Sequence, residues 1–520
     1  MPSPTVHPGT LLDPPTVTTP RPPVVPRPPV PSATPRPGPS RALTAAVPAG
    51  LVIALGLWGI TRQDSMWRDE AATWQVAHRS LPEIWQLLGH ADVVHGLYYA
   101  LMHVMFGVFG DSLLTLRLPS VLAMAVAASL TADLGARLAG RWSGLGAGLA
   151  FALLPTLQTY AQEGRPYAMV TATVALATWL LVAAMHRPRT RTWSAYALVV
   201  LLGALLNWFS LLALPAHAAT LALARPHRAI RVRWLLASST AVLGALPLVL
   251  ASRGQSRQVS WIQPTTPGTM YAVAATILAA GGCALLRRAH KPAGGRLSPA
   301  AVAVPLCAVP QLMLLAVSLT WQPLYVGRYV LFAHIGLALL LGPALATLAI
   351  RLRTHPGVPL AAVTALAFLA LLPVEQHVRS PHSRVDDVLA AATLVDAARG
   401  QGAAVVFLPS ARRDTALVTP AAFHGLRDIA LARSPVESAT LHGIETNPDT
   451  TARAMLRERH IILISDAEPR PARNARDRAK QRILHDHFTK RSTTIQRGRS
   501  ITLYERIDRP HHNPPAADRP

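Results

Sequence analysis

The chain has 520 residues, of which 51% are hydrophobic and 15% charged, and its mean hydropathy is +0.29. These values exclude an ordinary soluble globule, because charge-poor runs of membrane-spanning length recur along the sequence. The formal net charge is +24, but the basic excess lies mainly around the apolar runs. That distribution fits membrane topology and argues against a nucleic-acid surface. Cys283 and Cys307 both lie in apolar runs, which excludes a disulfide framework or a thiolate zinc cluster in the polar parts.

Residues 1–42 are rich in proline and threonine, a composition that predicts a disordered cytoplasmic tail with polyproline II character. Eleven apolar runs follow, and each is predicted to span the membrane as a helix. The runs are 43–60, 118–136, 143–160, 168–185, 194–209, 210–224, 234–251, 270–286, 299–320, 329–350 and 357–374. The first run lacks a convincing cleavage site, which favours an uncleaved signal anchor. We therefore predict a polytopic α-helical membrane domain over residues 43–375.

Basic residues occupy every second connection between these runs. They are Arg137 and Arg141; Arg187, Arg189 and Arg191; Arg225, Arg228, Arg231 and Arg233; Arg287, Arg288, Lys291 and Arg296; and Arg351 and Arg353. By the positive-inside rule these connections are cytoplasmic, which places the N-terminus inside and the chain after residue 375 outside a plasma membrane. The alternative is one broken helix over 194–224, which would invert the topology downstream and spoil the alternation.

Residues 61–117 form one long external loop under this topology. The loop contains the run His95–Gly110, which is too short to cross the bilayer comfortably and is predicted to be a helix in the membrane interface. After residue 380, amphipathic segments (383–398, 449–458 and 472–486) alternate with β-like runs (403–408, 460–465 and 500–504). This order predicts an extracytoplasmic α/β domain over residues 381–510, followed by a disordered end, 511–520.

An adjacent pair of acids, Asp69 and Glu70, follows the first span. Carboxylates this close to hydrocarbon are costly unless they are paired or hydrated, so they are candidates for function. The alternative is a structural one, in which the pair is solvated or caps a helix that begins at Ala71.

Three further groups of polar residues fall on the same external side. They are His95, Tyr98 and Tyr99; Gln162, Glu163, Arg165 and Tyr167; and Arg328 and Tyr329, with Arg117 at the entry to the second span. Aromatic residues at an interface are commonly anchors, and Glu163 and Arg165 could simply neutralise each other. However, a guanidinium at a lipid boundary can also bind two oxygens of a phosphate. The recurrence of acids, arginines and tyrosines on separate loops of one side favours a shared site.

Five motifs occur in a fixed order along these loops. They are Asp69-Glu70, the short helix beginning His95-Gly-Leu-Tyr-Tyr99, Phe109-Gly-Asp-Ser followed by Leu116-Arg-Leu-Pro-Ser120, the Tyr160–Tyr167 loop, and Arg328-Tyr329. Together they resemble the membrane glycosyltransferases of the C superfamily, specifically family 39-like relatives of the protein O-mannosyltransferases and the lipid A aminoarabinose transferase. The resemblance covers roughly residues 43–375. Many relatives have His-Pro-Pro-Leu-Tyr-Tyr at the second motif, so this chain lacks both prolines.

The resemblance implies an inverting glycosyltransferase whose donor is a polyprenyl-phosphate-linked sugar, mannose or another hexose or pentose, at the outer leaflet. The acceptor would be a hydroxyl of a glycan, a lipid or a protein. Asp69 is the expected general base, since the first acid of the pair is the usual candidate in the resembling families. Glu70 would orient the acceptor or balance Arg68 or Arg165.

The donor phosphate is predicted to contact Arg165 and Arg328, with Arg117 as a further candidate. Tyr167 and Tyr329 would pack against the sugar or the first isoprene units. The remaining substrate-binding candidates are His95, Tyr98, Tyr99, Gln162 and Glu163. No cofactor is implied with certainty, and a divalent metal stays open, because one Asp-Glu pair supplies too few ligands to define a site.

Two other functions compete with this interpretation. A membrane transporter or lipid flippase would carry ionisable residues deep in mid-span or an internal inverted repeat, whereas almost all acids here lie at helix ends. A C-terminal binding domain on a mere anchor would not need so many spans.

Overall fold

The computed structural model describes residue 3 and residues 38–255, 262–286, 297–351, 356–398, 400, 404–468, 471–472 and 474–507. Residues 1–38 and 39–520 form separate units, and all the described helices and strands lie in the second unit. The predicted disordered end 511–520 lies outside the described residues, and so does nearly all of the predicted tail 1–42. The basic residues Arg287, Arg288, Lys291, Arg296 and Arg353 lie outside them as well.

The described residues are mostly helical. Their α-helices are α1 Arg41–Leu57, α2 Arg68–Ala77, α3 Leu81–Leu88, α4 Gly96–Phe109, α5 Leu113–Ala139, α6 Arg141–Leu153, α7 Pro155–Ala161, α8 Tyr167–His186, α9 Thr190–Leu206, α10 Ala213–Ala224, α11 Arg228–Gly254, α12 Pro267–Leu286, α13 Pro299–Thr320, α14 Ala333–Arg351, α15 Gly357–Val378, α16 Val388–Ala398, α17 Asp414–Val418, α18 Pro448–Arg457 and α19 Ala475–His487. Helices α1 to α15 form the membrane domain, and α16 to α19 belong to the C-terminal domain.

Each of the eleven predicted apolar runs coincides with a helix or a pair of helices, so the prediction of a polytopic helical membrane protein is confirmed. Six of the described helices are long and apolar enough to cross a bilayer by length and composition: Leu113–Ala139, Tyr167–His186, Arg228–Gly254, Pro267–Leu285, Pro299–Thr320 and Gly357–Val378. The others are shorter, and the run 143–160 is divided into α6 and α7 where Leu154 is extended and Pro155 starts a new helix. The count of eleven spans stays a prediction.

Residues 190–224 form a helical hairpin. Helix α9 ends at Leu206, and Asn207 adopts an extended backbone conformation and accepts a hydrogen bond from the N–H of Phe209. Tyr196 in α9 contacts His217 in α10 through an OH···Nδ1 distance of 2.9 Å. Two residues so far on either side of the break meet only if α10 runs back along α9. The alternative of one broken helix with collinear halves is therefore wrong.

Small residues bring the central helices together. A Cβ added to Gly144 of α6 would lie 2.4 Å from the carbonyl oxygen of Ala132 in α5. At Gly342 of α14 it would lie 2.3 Å from the backbone of Ser143 and Ala147 in α6. Close approach of backbones through small residues is the usual way in which membrane helices gain packing energy, because lipid offers no hydrophobic drive between them. Helices α5, α6 and α14 therefore form a tight centre for the membrane domain.

The C-terminal domain contains a five-stranded mixed sheet. Its strands are β1 Ala404–Leu408, β2 Arg427–Asp428, β5 His460–Asp466, β6 Phe488–Gln496 and β7 Arg499–Arg506, in the order β2-β1-β5-β7-β6. The short strands β3 Leu431–Arg433 and β4 Ile444–Glu445 pair separately. Strand β1 is parallel to β2 and β5, whereas β7 is antiparallel to β5 and β6. Apolar residues of β1 and β5 pack under helices on both faces, which confirms the predicted α/β character.

A buried ionic junction ties this domain to the loop after α1. Asp386 accepts hydrogen bonds from the backbone N–H of Arg68 (3.2 Å) and from its Nε (2.9 Å). The same carboxylate receives Arg499 of β7 at 2.9 Å, and neither side chain is exposed. Asp387 accepts from the backbone N–H of Met66 at 3.3 Å. The C-terminal domain therefore fixes the backbone immediately before Asp69.

Candidate active site

Helix α2 carries both acids in its first turn. It begins at Arg68, and the residue before it, Trp67, makes no side-chain capping hydrogen bond. Asp69 therefore lies within the helix, and the alternative in which it caps a helix starting at Ala71 is wrong. Neighbouring residues of an α-helix point about 100° apart, so Asp69 and Glu70 face different surroundings.

Glu70 is the centre of a buried ion cluster. Its carboxylate accepts two hydrogen bonds of 2.8 Å from Arg117, one from Arg62, and one of 3.0 Å from the N–H of Gly164. The side chains of Glu70, Arg62 and Arg117 are 0% exposed. Burial alone would raise the pKa of Glu70, but the charges of Arg117 and Arg62 outweigh it and lower the pKa to about 2. The carboxylate therefore joins the loop after α1, helix α5 and the loop before α8.

Asp69 points to a different partner, Arg328 in the 3-10 turn Gly327–Val330. The distance from its Oδ2 to Nη2 of Arg328 is 3.2 Å, and the two side chains remain 22% and 13% exposed. The guanidinium carbon lies 5.5 Å from the ring centre of Tyr167, 5.7 Å from that of Trp67 and 6.0 Å from that of Tyr329. These distances are within the range of cation–π attraction. The Asp69–Arg328 pair is therefore only partly exposed, and aromatic rings surround its guanidinium group.

Five aromatic residues lead away from this pair in a continuous series, which we call the aromatic row. Ring centres are 5.8 Å apart for Tyr160 and Tyr167, 6.2 Å for Tyr167 and Tyr329, 4.5 Å for Tyr329 and Phe209, and 4.2 Å for Phe209 and Trp208. The last two pairs are stacked. The row therefore extends from α7, through the first turn of α8, to the break between α9 and α10.

Arg165 lies beside the pair but is surrounded by protein acceptors. Its Nη1 is 3.4 Å from the backbone oxygen of Asp69, 3.4 Å from Thr73 Oγ1 and 3.5 Å from the hydroxyl of Tyr99. Its Nη2 is 3.0 Å from Nε2 of His95. Arg165 is only 6% exposed, so it links α2 to the segment that begins α4.

Asp92 completes the Arg165 network, and sequence reasoning missed it. One carboxylate oxygen lies 2.7 Å from Nδ1 of His95, and the other accepts a hydrogen bond from the hydroxyl of Tyr99. Burial and the charge of Arg165 lower the pKa of His95, although Asp92 opposes them. The spacing of three residues between Asp92 and His95 is the one signal available in the sequence.

Glu163 is paired with Arg384, a residue of the C-terminal domain. Nη2 of Arg384 is 3.4 Å from Oε2 of Glu163 and donates to the carbonyl oxygen of Thr159 at 2.9 Å. The alternative in which Glu163 and Arg165 neutralise each other is wrong, because their side chains have these other partners. Burial raises the pKa of Glu163, while Arg384 and Arg328 act against that shift. Nothing local in the sequence indicates Arg384, because it lies far downstream in another domain.

The structure thus divides the predicted site residues into three groups. Asp69, Tyr167, Arg328 and Tyr329 meet directly; His95, Tyr99, Glu163 and Arg165 surround them. Glu70, Tyr98, Arg117 and Gln162 lie in the protein interior. Arg117 also donates to the carbonyl oxygens of Ile60 and Ser65, and Gln162 donates to those of Gly56 and Trp58. Their contacts hold the loop and helix ends that frame the site.

Glu70 does not have the partners predicted for it. Arg68 is bound to Asp386, and Arg165 reaches only the backbone oxygen of Asp69 on this turn. Among the described residues, no three His, Cys, Asp or Glu side chains lie close enough together to hold a metal ion.

Comparisons with known proteins agree with this architecture. The family model for dolichyl-phosphate-mannose-protein mannosyltransferases matches residues 96–252. The crystal structure of ArnT from Cupriavidus metallidurans in the apo state aligns with 88% of this chain and 97% of its own, at 11% identity and a TM-score of 0.52. The chain has the fold of the membrane glycosyltransferases of the C superfamily (GT-C). The resemblance seen in the sequence motifs is thereby confirmed.

A second GT-C structure aligns equally well. It is ArnT from Cupriavidus metallidurans bound to undecaprenyl phosphate, with 12% identity, a TM-score of 0.51, and coverage of 89% of this chain and 98% of that one. No curated protein sequence gave a significant match. The alignments leave out only 11–12% of this chain, which is less than the length of the C-terminal domain, so the shared fold includes at least part of that domain.

Proposed function

We propose that the chain is an inverting glycosyltransferase that moves a sugar from a polyprenyl-phosphate donor to an acceptor hydroxyl at the outer face of the membrane. The observation that carries the proposal is the Asp69–Arg328 pair, a carboxylate and a guanidinium that lie 3.2 Å apart and are 22% and 13% exposed. The binding of undecaprenyl phosphate by a protein of the same fold supports the choice of donor. Mannose is the first candidate among hexoses and pentoses.

Asp69 and Arg328 carry the two charges that a displacement reaction needs, a negative charge at the attacking hydroxyl and a positive charge at the leaving phosphate. Asp69 takes the proton of the acceptor hydroxyl as its oxygen attacks the anomeric carbon. The bond between that carbon and the phosphate oxygen breaks on the opposite side, and polyprenyl phosphate leaves with the electron pair. Arg328 offsets the negative charge that grows on the phosphate. A phosphate that draws Arg328 away also frees the carboxylate of Asp69 to accept the proton.

The aromatic row supplies a surface for the donor lipid. Tyr167 and Tyr329 flank the guanidinium of Arg328, so a sugar or the first isoprene units would contact their rings. Phe209 and Trp208, which are uncharged, continue the aromatic row towards the helical hairpin. Flat aromatic faces bind both sugars and isoprenes while losing little conformational entropy.

The outward orientation of this site follows from the basic connections. Arg187, Arg189 and Arg191 lie at the end of α8 opposite to Tyr167, and the positive-inside rule assigns such arginines to the cytoplasm. We therefore assign the N-terminus to the cytoplasm and the C-terminal domain to the outside. The C-terminal domain lies beside Glu163 and Asp69, and this position suits a role in binding the acceptor.

Loss of the protein from its cells tests the function directly. We expect an envelope glycan, lipid or protein to lose a sugar and the polyprenyl-phosphate-linked sugar to accumulate in the outer leaflet. Periodate, which does not cross membranes, should then oxidise the accumulated sugar in intact cells. A flippase would leave the same lipid in the inner leaflet, protected until the cells are permeabilised. Unchanged glycans together with unchanged lipid-linked sugars would contradict both functions.

Replacement of Arg328 by lysine tests the phosphate contact. We expect Arg328→Lys to weaken the binding of undecaprenyl phosphate by about tenfold to hundredfold, because an ammonium replaces one of two charge-assisted hydrogen bonds poorly. The measurement is the dissociation constant of purified protein in nanodiscs. Arg68→Lys is the matched control, since Arg68 precedes Asp69 but is bound to Asp386. Equal affinities for Arg328→Lys and the parent would make Arg328 an interface anchor.

The surroundings of Arg165 differ from those of Arg328. The sequence predicts a phosphate contact for Arg165, but its guanidinium already faces Thr73, Tyr99 and His95. We therefore propose that Arg165 positions the start of α4 and touches the phosphate only after rearrangement.

A further inference from the structure

A large cavity lies at the end of the membrane domain that is opposite to the Asp69–Arg328 pair. It measures about 1680 Å³ and opens between α5, α8, the start of α9, α13 and α14. Its basic lining residues are Arg41, Arg137, His186, Arg187, Arg189 and Arg191. We call this cavity the basic cleft. Its volume exceeds the roughly 300–1,000 Å³ of typical small-ligand pockets, so an inorganic anion alone would leave it mostly unfilled.

One wall of the cleft is a fixed ionic cluster. Asp133 accepts hydrogen bonds from Arg41 (2.8 Å), from Arg137 (2.7 Å) and from the indole N–H of Trp179 (2.7 Å). The guanidinium of Arg137 lies 4.3 Å from the ring centre of Trp179. Two arginines share a single carboxylate, so this wall keeps a net positive charge. Its geometry is set before any ligand arrives.

The connection between α8 and α9 supplies further positive charge to the rim of the cleft. Arg187, Arg189 and Arg191 are exposed, and among the described residues none of them forms an ion pair with an acid. Arg233 donates to the carbonyl oxygen of Pro188 at 2.7 Å and so holds the connection between α8 and α9 in place. The cleft therefore presents several guanidinium groups to one region of space.

The remaining lining is mostly apolar. It includes Leu180, Leu223, Val304 and Leu340, of which Leu223 is 61% exposed. A cavity with guanidinium groups at its rim and aliphatic side chains along its walls matches an amphiphile whose head is anionic. A guanidinium binds phosphate oxygens with two parallel hydrogen bonds, and the aliphatic walls would contact acyl chains.

The basic cleft and the Asp69–Arg328 pair lie on opposite faces of the membrane. Tyr167 and His186 are at the two ends of α8, and at 1.5 Å per residue they are about 30 Å apart. That separation equals the usual thickness of the hydrocarbon core. The cleft is therefore remote from the proposed transfer reaction and independent of it.

We propose that the basic cleft is a binding site for a phospholipid with an anionic headgroup, held at the membrane face opposite to Asp69. The phosphate is bound by Arg187 and Arg189 at the rim, and the acyl chains lie along the apolar wall. The bound lipid stabilises the junction of α5, α8 and α9.

Native mass spectrometry of the purified full chain in detergent tests this site. The probes are phosphatidylglycerol and phosphatidylcholine with identical acyl chains. We expect the parent protein to bind phosphatidylglycerol more tightly. Arg187→Gln/Arg189→Gln should weaken that binding about thirtyfold, because each arginine near an anionic lipid contributes about fivefold. Arg187→Lys/Arg189→Lys keeps the charge and should retain most of the affinity.

A double variant on the next basic connection provides the matched control. Arg228 and Arg231 are also exposed and are predicted to share the same membrane face, but they do not line the cleft. Arg228→Gln/Arg231→Gln should therefore bind phosphatidylglycerol like the parent. Equal loss in both glutamine variants, equal binding of the two lipids, or displacement of phosphatidylglycerol by inorganic phosphate at the same concentration would each overturn the proposal.

Discussion

Asp69→Asn is expected to lower the rate of sugar transfer by at least about a hundredfold, the lower end of general-base contributions. Asparagine has nearly the same shape as aspartate, but its amide cannot take the proton of the acceptor hydroxyl. Asp69 lies in the first turn of α2 and is not its N-cap, so loss of its charge should cost the helix only about 0.3–1 kcal/mol. The measurement is the initial rate of transfer from a polyprenyl-phosphate-linked sugar by protein in nanodiscs.

Donor binding should survive the same substitution. Arg328 loses its partner in Asp69→Asn, so the guanidinium becomes more available to the donor phosphate. We expect the affinity for undecaprenyl phosphate to be equal to or higher than that of the parent. Asp64→Asn is the control, because Asp64 is an exposed acid on the same loop and its substitution should leave both binding and transfer unaltered.

A near-normal transfer rate in Asp69→Asn would remove Asp69 as the base. Glu163 would then be the next candidate, since burial raises the pKa of its carboxyl group, which also interacts with the charges of Arg328 and Asp69. A combined loss of donor binding and transfer would instead indicate that the substitution disturbs the turn that holds Arg328.

Glu70→Gln should destabilise the folded protein by about 3–5 kcal/mol, the usual cost of removing one partner from a buried ion pair. The substitution leaves Arg62 and Arg117 buried with no carboxylate between them, and the new amide N–H groups face guanidinium donors. The measurements are the midpoint of thermal unfolding in detergent and the yield of monodisperse protein. Glu468→Gln, at an exposed residue of the C-terminal domain, should change stability by less than about 0.5 kcal/mol.

The pH dependence of this effect identifies its electrostatic origin. The pKa of Glu70 is about 2 in the folded chain, below its ordinary value of 4.5. The stabilisation is therefore complete above about pH 4.5 and is lost as the pH falls towards 2. The gap in stability between parent and Glu70→Gln should narrow over that range. A Glu70→Gln protein that is as stable as the parent but inactive would return Glu70 to a role in catalysis.

The positions of the helices could be predicted because hydrocarbon imposes a simple rule on sequence. Every apolar run of spanning length had to be helical, and Pro155 and Asn207 broke two of the runs in ways that only local geometry reveals. Strand β6 escaped detection for the opposite reason. Its residues Phe488–Gln496 are mostly exposed and polar, so they show no alternation of apolar and polar side chains.

The site could be predicted only in part, because its acids look alike in sequence. Asp69 and Glu70 are neighbours, yet one faces Arg328 and the other is enclosed by Arg62 and Arg117. The register of a helix that starts at Arg68 decides this division, and sequence reasoning places that start three residues later. Arg384 could not be foreseen, since its partner Glu163 belongs to another domain and no spacing rule connects them.

The ionic junction between Arg68, Asp386 and Arg499 also joins residues that are translated at very different times. Arg499 follows Asp69 by about 430 residues, which at about 5–20 residues per second take roughly 20–90 s to translate. During that interval the helices can enter the membrane and Glu70 can meet Arg117, but Asp386, which holds Arg68, still lacks its second partner Arg499. A nascent chain already embedded in the bilayer therefore completes the ionic junction beside Asp69 only after strand β7 has been made.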